Sequence, residues 1–69
     1  MFLVVTNDGP CGINVNLNGH DKGRYWGRVG PTTDGHKLAS AWLANEGIRG
    51  RVTSATIIEN TLVAELDRA

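Results

Sequence analysis

Sixty-nine residues carry seven cations, seven anions and two histidines, for a net charge of zero. A chain this short buries only about 60% of the surface its unfolded form exposes, so its core is marginal. The neutral balance argues against a dedicated polyanion binder, whose phosphate contacts need clustered Lys and Arg, and the single cysteine excludes an internal disulfide.

The first predicted element is the run Phe2 to Thr6, apolar on both faces and suited to a strand covered on both sides. The turn formers Asn7-Asp8-Gly9-Pro10-Cys11-Gly12 end it. Ile13 to Asn18 then alternates, with Ile13, Val15 and Leu17 on one side and Asn14, Asn16 and Asn18 on the other. Arg24 to Val29 alternates too: Tyr25, Gly27 and Val29 oppose Arg24, Trp26 and Arg28. A loop of His20-Asp21-Lys22, closed by Gly19 and Gly23, pairs these two strands so that Leu17 faces Tyr25 and Ile13 faces Val29. Asn18, Asn16 and Asn14 then face Arg24, Trp26 and Arg28. Gly27 leaves room on the apolar face, where Trp42 is expected to pack.

Pro31-Thr32-Thr33-Asp34 opens a helix of about 13 residues, with Thr33 or Asp34 as N-cap. Leu38, Ala39, Ala41, Trp42 and Leu43 make its apolar arc, and His36, Lys37 and Ser40 lie opposite. Gly47 is the expected left-handed C-cap, followed by the apolar contact of Ile48. Thr53 to Glu59 and Leu62 to Asp67 form a last hairpin about Asn60-Thr61. Its outer face carries an apolar pair, Ile58 and Val63. The whole reads as one α+β domain over 1–69, in the order βββαββ: an antiparallel sheet of about five strands with one helix packed on one face.

No catalytic set stands out. Cys11 lies in a Gly/Pro turn, and nothing brings His20 or His36 to it as a base. The glycines before the helix are interrupted by Pro31-Thr32-Thr33, and no Walker lysine follows them. Two histidines without clustered acids or cysteines do not make a zinc site. The chain is therefore expected to act without metal or cofactor, and not as an enzyme. The start MFLVV is too short for a signal peptide. No run approaches the roughly 20 apolar residues of a membrane span. One unpaired cysteine fits a reducing cytoplasm.

The binding candidate is the polar strand face. Arg24, Trp26 and Arg28 are its anchors, with Asn14, Asn16 and Lys22 around them and Arg49 and Arg51 extending it. An exposed tryptophan between arginines suits a protein hot spot. It also suits base stacking with phosphate contacts, or a structural role under the arginine stems. Residues 20–51 hold six cations against three anions, and the remainder holds one against four, so charge is unevenly distributed along the chain, as ordinary solvated surface also allows. The apolar outer residues form a second candidate surface. A patch of about 300 Å² or more there would signal association, a homodimer included.

Positions 13 to 44, INVNLNGHDKGRYWGRVGPTTDGHKLASAWLA, resemble the strand–strand–helix pattern of the arm-DNA-binding domains of phage-type tyrosine recombinases, with ASAWL at Ala39 to Leu43. That resemblance implies a small DNA-binding module. The hairpin has three cations, however, and a strand pair follows the helix. The whole chain resembles small phage-encoded inhibitors of the anti-CRISPR type, and GIRGRVTSATIIENTLVAEL is similar to their helix-then-hairpin endings. This second resemblance implies a stoichiometric protein ligand that blocks a host nucleic-acid-handling complex.

Overall fold

The computed structural model describes residues 1–67. Five strands and one helix follow in the order β1 (Phe2–Asn7), β2 (Gly12–Leu17), β3 (His20–Trp26), α1 (Gly35–Glu46), β4 (Arg51–Ile58) and β5 (Thr61–Asp67). The expected βββαββ order is present. The strands form one antiparallel sheet, β3-β2-β1-β5-β4. β1 is central, and the segment containing α1 carries the chain from one edge to the other. At about 1.5 Å per residue a 12-residue helix is about 18 Å long, close to the roughly 19 Å spanned by five strands. One helix is thus long enough to cross the sheet once.

Leu3, Val5, Val15, Leu62 and Ala64 are wholly buried on the helix side, joined by Ile13, Leu66, Ala39, Trp42 and Leu43. Burying one such aliphatic side chain stabilises the fold by about 1.5–3 kcal/mol. Asp34 caps α1 by accepting from the Lys37 N–H at 3.1 Å. Thr33 instead holds the preceding loop, its hydroxyl accepting from the Gly30 N–H at 2.8 Å. Gly47 (φ 68°) ends α1, and the Ile48 N–H returns to the Leu43 carbonyl at 3.0 Å. Gly35 brings the helix start against the sheet: a Cβ there would lie 2.6 Å from Leu62 Cδ1.

Both hairpin registers differ from expectation. The first turns on Asn18-Gly19 (φ 50° and 88°), not on residues 20–22, because positive φ at both positions matches the twist of the strands. Leu17 pairs with His20 and Asn16 with Asp21; a bulge at Lys22 then pairs Val15 with Gly23, Asn14 with Arg24 and Ile13 with Tyr25. Without that extra residue, Arg24 would face the core. Val29 lies beyond β3. It is buried as part of a loop held by Asn7, whose side chain bonds both Val29 backbone groups at 2.8 Å. The second hairpin turns on Glu59-Asn60 (φ 50° and 63°), not on Asn60-Thr61. Ile58 therefore pairs with Thr61 and Val63 with Thr56, which makes Ile58 and Val63 diagonal neighbours. A bulge at Thr53 lets Val52 share the core face with Ala55 and Ile57.

Two packing expectations are also corrected. Trp42 meets Tyr25 edge-on, with ring centroids 5.7 Å apart and planes at 86°. The space above Gly27 is bounded by Ile13. His36 is exposed, as its place outside the apolar arc predicts, and its Nε2 lies 3.1 Å from the Val52 carbonyl. Finally, β1 is covered on one face only. Phe2 is 50% exposed and Ile58 58% exposed on the side away from α1.

Candidate functional site

Trp26 is the last residue of β3 and is 87% exposed. Its strand neighbour Tyr25 points into the core face, so alternation turns Trp26 out. Gly12 is its partner across the ladder, and the Gly27 N–H bonds the Cys11 carbonyl at 3.1 Å. The indole therefore stands on well-paired backbone beside the 8–12 loop.

The two arginines do not cover it. Arg24 Nη2 donates to the Asp8 carbonyl at 3.1 Å, and its Nε lies 3.8 Å from Asp8 Oδ2. Arg28 Nη1 donates to the Gly9 carbonyl at 2.7 Å. Gly12 makes room for this clamp: a Cβ there would press on Arg24 Nε and sit 2.6 Å from the Asp8 carbonyl oxygen. The Asp8–Arg24 ion pair is more than half exposed and contributes about 0–1 kcal/mol. Its consequence is positional, because both guanidinium groups brace the loop beside Trp26.

Trp26 and Tyr25 border two clefts. One, of about 210 Å³, is lined also by Gly12 and Arg24. The other, of about 460 Å³, opens toward α1 and is lined by Ile13, Leu38, Ala41, Trp42 and Asn45 as well. Trp42 Nε1 is buried and has no hydrogen-bond partner among the described residues. The Tyr25 hydroxyl lies 3.0 Å from Glu46 Oε1 and 3.2 Å from the Lys22 carbonyl, either of which accepts its proton. Desolvation raises the Tyr25 pKa above the usual 10, and the Glu46 carboxylate raises it further; the Trp42 N–H acts weakly the other way.

The remaining expected site residues divide. Asn14 sits opposite Arg24 on the outer face. Asn16 uses its Oδ1 to accept from the Gly19 N–H at 2.9 Å, which fixes the turn. Lys22 is the exposed bulge residue on the β3 edge. Arg49 and Arg51 do not extend this surface. Arg51 opens β4 at the opposite edge and opposite end of the sheet, 3.7 Å from Asp67, and Arg49 precedes it. Tyr25, Gly12 and the Asp8–Gly9 carbonyls belong to the site although the sequence reading did not assign them to it. The one available signal was Gly12 at the head of an alternating strand.

Among the described residues no group of three or more His, Cys, Asp or Glu is placed to hold a metal, and no helix is long and apolar enough to cross a membrane. No family model matches the chain, and no curated protein or solved structure matches it.

Proposed function

We propose that this chain is a non-enzymatic binding protein that docks onto a protein partner through the Trp26 corner. The supporting observation is the 87% exposure of Trp26 on a strand end braced by the Arg24 and Arg28 clamp. Leaving a large aromatic in water costs hydrophobic free energy that a partner's pocket recovers, and a rigid platform limits the ordering cost of binding. Tryptophan and arginine are over-represented among binding hot spots. The clefts beside Trp26 give an incoming apolar side chain two places to seat.

Protein binding is favoured over nucleic-acid binding by the disposition of the cations. Arg24 and Arg28 each spend a donor on a loop carbonyl, and Arg49 and Arg51 lie away at the far corner. A phosphate track needs a continuous basic stripe. The resemblance to anti-CRISPR-type inhibitors makes a host nucleic-acid-handling complex the first partner to test, with the chain acting as a stoichiometric block in the host cytoplasm.

The test has two arms. Purified chain is titrated with generic duplex and single-stranded DNA at rising salt; the proposal expects no salt-dependent binding. Immobilised wild type and Trp26→Ala are then compared for capture of CRISPR effector complexes. Steeply salt-sensitive DNA binding that Trp26→Ala abolishes would replace the proposal with a nucleic-acid module.

A further inference from the structure

We infer that β4 is a self-association edge, along which a second copy of this chain adds antiparallel to make a continuous ten-stranded sheet. This surface is independent of the Trp26 corner, which lies at the other edge.

The two edges of the sheet are not alike. β3 carries Asp21, Lys22 and Arg24, a bulge at Lys22, and the Tyr25 hydroxyl within reach of the Lys22 carbonyl. Charges, bulges and capped carbonyls are the devices that keep an edge strand from pairing. β4 reads RVTSATII, with no charge and no proline from Val52 to Ile58. Its own bulge at Thr53 and the His36 contact to the Val52 carbonyl protect only its first residues. Among the described residues, the edge from Ser54 to Ile58 is unguarded.

The turn geometry identifies the free backbone groups. A two-residue turn makes Ile58 and Thr61 a hydrogen-bonded pair, so Thr56 and Ser54 also bond toward β5. Ala55 and Ile57 then direct their N–H and C=O groups outward. A two-fold axis beside Thr56 pairs Ala55 of one copy with Ile57 of the other, twice. Ala55 and Ile57 are partly buried against the core, so this pairing extends an existing apolar layer. On the outer face the exposed Ile58 comes opposite Ser54 of the second copy, and Thr56 meets Thr56.

Charge complementarity selects a second copy as the occupant. Arg51 is the first residue of β4, and Glu59 follows its last. Antiparallel pairing about Thr56, with Thr53 bulged, brings Arg51 within one residue of Glu59 of the second copy, and the symmetry repeats the contact. The existing Arg51–Asp67 pair, at 3.7 Å with both side chains more than 60% exposed, is a weak competitor.

Sedimentation equilibrium of the whole chain over a dilution series tests this. The wild type is expected to show a reversible monomer–dimer equilibrium. Thr56→Lys, on the exposed outer face, sets two lysines opposite each other and should raise the dimer Kd by about tenfold or more. Glu59→Arg should also weaken the dimer, and Arg51→Glu added to it should restore affinity; this pair decides the matter if Thr56→Lys fails to fold by circular dichroism. Trp26→Ala should dimerise like the wild type. A chain that stays monomeric throughout overturns the inference. So does a dimer that these β4 changes leave intact, or one that Trp26→Ala dissociates.

Discussion

The side-chain amide of Asn7 replaces a strand partner for Val29. Its Oδ1 accepts from the Val29 N–H and its Nδ2 donates to the Val29 carbonyl, both at 2.8 Å. Val29 is 2% exposed, so neither backbone group has ready access to water. Asn7→Ala orphans both and should cost about 2–4 kcal/mol, measured by urea denaturation. Asn7→Asp keeps the acceptor and loses the donor, so it should also destabilise the fold. Hydrogen exchange at Val29 should quicken in Asn7→Ala, which removes the acceptor of its N–H, and less in Asn7→Asp, which keeps it. Unchanged exchange would mean that the loop is held by something else.

This contact also marks how far the sequence was legible. Alternation identified which residues of both hairpins face inward, and the element order followed from it. It did not fix the register. Moving Tyr25 from opposite Leu17 to opposite Ile13 is a shift of four, an even number, so every side chain keeps its face. The Asn18-Gly19 pair was the available signal for the true turn, and the bulge at Lys22 that reconciles it with the pattern has no signature of its own. Asn7 read as a turn former because its role depends on a residue 22 positions away. The Trp26 anchor was legible as an outward tryptophan. The arginine clamp was not, because the carbonyls it binds become neighbours only after β2 and β3 pair.

A side chain at position 12 would meet backbone, and one at position 35 would meet the buried Leu62 side chain. A Cβ at Gly35 would lie 2.6 Å from Leu62 Cδ1 and 3.4 Å from the Ala55 Cβ. Overpacking of this kind costs about 1–3 kcal/mol, so Gly35→Ala should lower the thermal midpoint despite alanine's better helix propensity. Gly12→Ala should do the same, because its Cβ would press on the Asp8 carbonyl and the Arg24 guanidinium. A Gly12→Ala variant as stable as the wild type would show that the clamp tolerates displacement.

Tyr25 is the only tyrosine, so ultraviolet absorbance titrates it alone. Its phenol should ionise above pH 10, because desolvation and then the Glu46 carboxylate disfavour phenolate. A pKa raised on folding means that the neutral form is bound into the fold. The associated stability is complete below the unfolded pKa and is lost as pH rises through the folded one. Glu46→Gln should move the titration down toward 10. A titration unchanged by that substitution would remove Glu46 as a cause.

The two tryptophans should separate in fluorescence. Trp26 is 87% exposed and Trp42 7%. Iodide should quench most of the emission of Trp42→Phe, where Trp26 alone remains, and little of that of Trp26→Phe. Equal quenching of the two variants would mean that Trp26 is covered in solution.

The most direct test of the account is the paired measurement of stability and binding for Trp26→Ala. An 87% exposed side chain contributes little to folding, so its removal should change stability by no more than about 0.5 kcal/mol. As a hot spot it should contribute about 2 kcal/mol to partner affinity, roughly a 30-fold loss in Kd against whichever complex the wild type captures. A stable Trp26→Ala chain that binds as tightly as the wild type would contradict the account.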